Sequence, residues 1–185
     1  SGPIADAFFV AFRIPNTFRR LFSEGTFNAA FVPSYSSEMV LGKIRSQKFA
    51  NKIFNLLLFF LLLIVLIIEV FMPSFVYIIA PGFTENSDKL DLTISLTRIT
   101  FPFLLFVCIS SFFSAILNSH NKFAVAAAVP IILNIFLIFT LLFQNYLNDQ
   151  LVFYLSYAVT FAGLVQLVLL YFFVKKYFSP KINLN

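Results

Sequence analysis

Leu56-Leu-Leu-Phe-Phe-Leu-Leu-Leu-Ile-Val-Leu-Ile-Ile68 is an unbroken apolar run inside a longer greasy block, Phe49–Val76. A hydrocarbon core about 30 Å thick is crossed by a helix of about 20 apolar residues, and this block is long enough. The pattern recurs on both sides, over Ala7–Val40, Leu92–Leu117, Phe123–Phe143 and Leu151–Val174. Across all 185 residues, 60% are hydrophobic, 28 are Phe and the mean hydropathy is +0.92. A soluble domain would be about 45–50% apolar. Lipid offers no partner to the backbone N–H and C=O groups of an open strand, so the spans must be helices. The expected fold is all-α, a polytopic helical bundle with five transmembrane helices.

Several chemistries fall away at once. Cys108 is the single cysteine, which excludes an internal disulfide or a cysteine metal site; in an apolar block it behaves as a small hydrophobe. His120 is the single histidine. No nucleotide loop, Gly-rich phosphate cradle or nucleophile–base set is present, so nothing calls for an enzyme, a resident cofactor or a metal. A net charge of +5 would suggest nucleic acid in a soluble protein, but here the charges sit in loops and set topology. Lys43, Arg45, Lys48 and Lys52 flank the first loop, Lys122 the third, and Lys175, Lys176 and Lys181 the tail. The alternate loops, Gly82–Asp91 and Gln144–Gln150, carry Lys89 alone beside Glu85, Asp88, Asp91 and Asp149. By the positive-inside rule the C-terminal end is cytoplasmic and Ser1 lies outside. Both ends read as polar cuts without an initiator Met or a signal peptide, so the expectation is an internal piece of a longer protein.

The first block is the unusual one. Asp6, Arg13, Arg19, Arg20 and Glu24 lie in a stretch otherwise apolar enough to enter a bilayer. Each charge at the centre of a span costs about 2.5–3.5 kcal/mol even on lenient scales, so such residues face protein or a water-filled cavity and mark function. On an ideal helix Asp6, Arg13, Arg20 and Glu24 fall near one face, while Arg19 points elsewhere. Arg20 and Glu24 can pair at i,i+4, and Arg13 and Asp6 can snorkel toward water. Arg19 lies about 20 Å along the helix from Asp6, with no carboxylate near it in sequence, and a guanidinium there suits a phosphate gripped by two parallel hydrogen bonds. Pro15 supplies a kink, with Gly25 and Pro33 as further weak points, and broken helices line transporter substrate paths. Milder features follow. Arg98 and Glu69 read as interfacial, and Asn118, His120 and Asn121 as a helix-end turn. Pro130 and Asn134, four apart, are expected to form a kink whose open carbonyl Asn134 satisfies.

The order of these motifs resembles one family. Asp6-Ala-Phe-Phe-Val-Ala-Phe-Arg-Ile-Pro-Asn16, Arg19-Arg20-Leu-Phe-Ser-Glu24-Gly25 and Ala30-Phe-Val-Pro33 are similar to the second transmembrane helix of the MurJ (MviN) lipid II flippases. Ala80-Pro-Gly-Phe83, Thr100-Phe-Pro102, Ala115-Ile-Leu-Asn118 through Asn121-Lys-Phe123, and Pro130-Ile-Ile-Leu-Asn134 agree in order and spacing. The resemblance implies a flippase lobe of the superfamily that contains multidrug exporters and polysaccharide flippases, with this chain as helices two to six of an N-terminal lobe. It implies transport of lipid II, the undecaprenyl-pyrophosphate-linked peptidoglycan precursor, across the bacterial cytoplasmic membrane by alternating access, with membrane lipids as surroundings and a coupling cation or the membrane potential as drive. Arg19, Arg20 and Arg13 become the substrate-binding cavity cations, Asp6 and Glu24 their charge partners, and Pro15 and Gly25 the hinge. The competing readings are a polysaccharide-repeat flippase, a drug antiporter and a non-transporting scaffold whose charges bind a partner helix.

Overall fold

The computed structural model describes residues 2–24, 26–83, 86–147 and 150–181. Among them the chain is all-helical. The expected first block is two helices, α1 (Pro3–Glu24) and α2 (Thr26–Val40). Then come α3 (Lys43–Val70), α4 (Met72–Ile79), a 3₁₀ turn over Pro81–Phe83, α5 (Ser87–Thr100), α6 (Phe103–Ser119), α7 (Phe123–Leu142), the short α8 (Gln144–Leu147) and α9 (Leu151–Val174). Among the described residues four helical stretches are long and apolar enough to cross a membrane: Lys43–Val70, Ser87–Ser119, Phe123–Leu142 and Leu151–Val174. The charged α1–α2 stretch is not one of them.

The element ends have local causes. Pro73 in the first turn of α4 has no N–H to continue α3, so the expected second span divides at Phe71. Asn86 caps α5, its Oδ1 accepting from Lys89 N–H at 3.1 Å. Pro102 separates α5 from α6 in the same way. α6 ends in the expected turn: Asn121 adopts φ +60° and Lys122 N–H donates to Leu117 C=O at 2.9 Å.

α5–α6 is the central pillar. Of its most apolar window 78% is buried inside the protein, against 11% for the windows on α3 and α7. α1 packs against α5 and α6, α2 against α3 and α6, and α9 against α6, α7 and α5. The outward faces of α3, α7 and α9 carry exposed Leu, Ile and Phe. In water these would be a liability, whereas lipid tails are as apolar as the side chains themselves. Cohesion therefore rests on close packing between helices. At the α6–α9 crossing Gly163 is buried, and a Cβ there would run into the ring of Phe103 and lie 3.3 Å from Phe106 Cβ. An aromatic cluster closes one end, with the Phe112 ring centroid 5.0 Å from Phe31, 5.6 Å from Phe54 and 5.7 Å from Phe178. Phe178 follows α9 and is fully buried. Beyond it Lys181 N–H donates to Asn51 Oδ1 at 2.8 Å, and Asn55 Nδ2 donates to Lys181 C=O at 3.1 Å. The tail is thus strapped onto α3.

Two hydrogen bonds stitch the helices where the backbone ladder is broken. α1 continues through Pro15, which is buried and has no N–H for the carbonyl of Ala11 four residues back. Thr100 Oγ1 of α5 donates to that carbonyl at 3.0 Å. At the α5–α6 junction the Ile99 carbonyl accepts from Thr160 Oγ1 of α9. Pro130 likewise opens the Ala126 carbonyl, but the expected partner fails. Asn134 is exposed, and it lies eight residues beyond Ala126, about 12 Å along the helix and out of reach of that carbonyl. Thr100→Val should cost about 1–2 kcal/mol of stability by orphaning the Ala11 carbonyl. In a Pro15→Ala background the new N–H restores the ladder and the same change should cost much less. Denaturant unfolding of the four variants measures this coupling, and equal costs in both backgrounds would refute it.

Candidate cavity and its relatives

Five helices line a cavity of about 370 Å³. Arg19 of α1 and Asn28 of α2 stand at one side, and Gln166 of α9 on another. α6 contributes Val107, Ser110, Ser111, Ser114 and Asn118; α7 contributes Phe123, Ala126, Ala127, Val129, Pro130 and Leu133. The spacing explains the convergence. Residues four apart on a helix share a face, so Ser110, Ser114 and Asn118 form one polar row, opposite the row of Ala126 and Pro130. The wall is apolar, the floor carries hydroxyls and carboxamides, and Arg19 is the lining cation among the described residues. Among the described residues no carboxylate lines the cavity. Such a site favours an anion and disfavours a cation.

The charged residues of α1 separate as their helical angles predict. Arg19 is half-buried and its Nε–H donates to Asn16 Oδ1 at 3.0 Å, which holds the guanidinium from within its own helix. Arg13 and Arg20 are exposed and do not line this cavity. Asp6 meets Lys89 rather than an arginine: Lys89 Nζ lies 3.1 Å from Asp6 Oδ2 and 3.9 Å from the centroid of the Phe83 ring. The first turns of α1 and α5 stand side by side, so the nearest cation to Asp6 is the one distant in sequence. The Glu24 side chain and Gly25 lie outside the described residues. Arg98 is exposed on α5, outside the cavity.

The opposite end of the bundle carries a second polar group. Tyr35 Oη of α2 lies 3.4 Å from His120 Nε2, and the His120 ring stacks on Tyr177 at 4.3 Å between centroids. Burial pushes the His120 imidazole below its usual pKa. Its turn joins the start of α3 and the tail at one end, where Lys43, Arg45, Lys48, Lys52, Lys122, Lys175, Lys176 and Lys181 are all exposed. Sequence reading missed Asn16, Asn28, Ser110, Ser114 and Gln166. The four-residue spacing of Ser110, Ser114 and Asn118 in an apolar helix, and a lone Gln in α9, were the available signals.

The family model described as lipid II flippase MurJ matches residues 1–185, the whole chain. The chain belongs to the MurJ family. Curated relatives named probable lipid II flippase MurJ include one from Rhizobium tropici, 43% identical over 180 residues, and one from Rickettsia prowazekii (strain Madrid E), 40% identical over 177. Each match covers 95% of this chain and 34% of the relative, so the chain spans about a third of the length of these proteins. Among solved structures it is similar to "Lipid II flippase MurJ, inward closed conformation", with a TM-score of 0.74 and 25% identity over all of this chain and 38% of that one. MurJ membership together with four membrane-length helices makes this part of a multi-pass inner-membrane protein of a flippase transporter family.

Two measurements check the geometry. Exchanging the charges of the half-exposed Asp6–Lys89 pair, as Asp6→Lys with Lys89→Asp, should recover most of the stability lost by either single change, about 0.5–1 kcal/mol; no recovery would mean that the pair contributes nothing. For His120 the folded-state pKa is below the unfolded value, so its contribution is complete above about pH 6.5 and is lost as pH falls through the lowered folded value. His120→Gln should flatten the acid side of the stability profile.

Proposed function

We propose that this chain forms helices two to six of the N-terminal lobe of a lipid II flippase, its C-terminal end cytoplasmic, and that Arg19 binds the substrate's pyrophosphate in a cavity open to one side at a time. The observation that supports this reading best is Arg19 itself, a guanidinium at the wall of a cavity with no carboxylate among its described lining residues. A guanidinium grips phosphate oxygens bidentately, and the low dielectric around it strengthens the contact. Asn16 orients the group, so less rotamer freedom is lost on binding. Arg20, exposed on the adjoining face of α1, adds long-range attraction, and Arg13 a weaker one. Pro15 gives α1 a joint with one fewer backbone hydrogen bond, and bending there couples the cavity wall to the alternating movement. The cation-rich end of the bundle supports the cytoplasmic orientation.

The test uses the full-length gene in a bacterium whose own lipid II flippase can be depleted. Wild type should restore growth and outer-leaflet lipid II; Arg19→Ala, at equal membrane level, should restore neither. Pro15→Ala should slow transport while leaving binding intact. Rescue by wild type and Arg19→Ala alike would reduce Arg19 to a structural residue. A well-expressed wild type that fails to rescue would sink the lipid II assignment.

A further inference from the structure

The polar floor of the cavity has no part in gripping a pyrophosphate at Arg19. Ser110 and Gln166 line the cavity and are 2% and 1% exposed, and the Ser110 hydroxyl has no hydrogen-bond partner among the described residues. Neighbouring hydroxyls show what a purely structural serine does here. Ser111 Oγ donates to the Val107 carbonyl of its own helix at 2.9 Å, and Ser156 Oγ to Val152 at the same distance. Ser110 is next to Ser111 and makes no such bond, and it lines the same cavity as Gln166 and Arg19. A buried polar group without a partner is destabilising, more so at low dielectric, so its retention points to a partner that arrives from outside the bundle. Ser114 and Asn118 extend the same row along α6, and Pro130 opposite removes one donor from the backbone of α7.

The geometry points to a second subsite: Ser110 and Gln166 take the uncharged, amide- and hydroxyl-bearing head group of a pyrophosphate-linked lipid, beside the phosphate grip of Arg19. This rests on the proposed flippase function and assigns its head-group selectivity. Hydroxyls and carboxamides both donate and accept, which is what sugar hydroxyls and N-acyl or peptide amides require. The absence of any carboxylate among the described lining residues argues against a cation as the occupant. A volume of about 370 Å³ falls in the range of small-molecule pockets. Because the floor holds a hydroxyl that stays unsatisfied until a matching ligand enters, it discriminates against a carrier lacking the head group.

The experiment compares two probes on the purified full-length protein: undecaprenyl pyrophosphate, and the same carrier bearing its sugar–peptide head. Gln166→Leu should weaken binding of the headed lipid about tenfold while leaving that of the bare pyrophosphate unchanged. Arg19→Ala should weaken both. Ser110→Ala should also keep or raise the melting temperature of the ligand-free protein, since it removes an unpartnered polar group. Ser110→Ala, smaller by one atom, must show the same selective loss even if the leucine variant misfolds. Equal affinity changes for both lipids, or none, would overturn the subsite. So would a fall in melting temperature with selectivity unchanged, which would mean that the floor is a seat for another helix of the protein. A wild type that binds neither lipid would overturn the transport reading itself and the subsite with it.

Discussion

A carbonyl opened by a proline inside a membrane cannot turn to water. That constraint organises this bundle. Pro15 opens Ala11 in α1, and the junction at Pro102 leaves Ile99 exposed to the same problem; in each case a threonine of another helix supplies the donor. The two bonds run from α5 to α1 and from α9 to the end of α5, tying three helices at the depth where regular structure gives way. Arg19 lies one turn beyond Pro15 on α1, and Gln166 about two turns beyond Thr160 on α9. The placement of the cavity's cation and of its floor therefore depends on how those irregular points are satisfied.

The cavity combines contrasting polar environments. Asn16 ties Arg19 within α1, whereas the buried Ser110 hydroxyl beside Gln166 is left without a partner in the described bundle. Charges that serve structure are handled differently. Asp6 and Lys89 neutralise one another over the Phe83 ring at a bundle end, where water still reaches them. Burial decides the difference, since a charge near the interface can be screened and one deep in the bundle cannot.

Hydropathy alone located the apolar blocks, because a lipid-facing helix repeats its composition over a length fixed by the bilayer. The separation of Arg19 from Arg13 and Arg20 was also legible, as it needs only the angle per residue. The divisions at Phe71 and Pro102 were not read, although Pro73 and Pro102 mark them, because an apolar run masks a change of helix. Contacts between distant positions were hidden altogether. Asp6 finds Lys89 across 83 positions, Ala11 finds Thr100 across 89, and Gln166 joins Ser110 through helix packing that no local pattern encodes. The burial of Phe178 beyond the end of α9, where it fills the aromatic cluster, was not read at all.

That buried ring changes how the bundle bears load. A pull on residue 181 does not first unwind the last turn of α9. It is taken up by Asn51 and Asn55 on α3 and by the ring of Phe178 wedged against Phe112 and Phe54. Force applied at the tail is therefore transmitted sideways into the central pillar, whose midpoint holds the Thr100 stitch. The segment after α9 acts as a lever arm on the helix that floors the cavity.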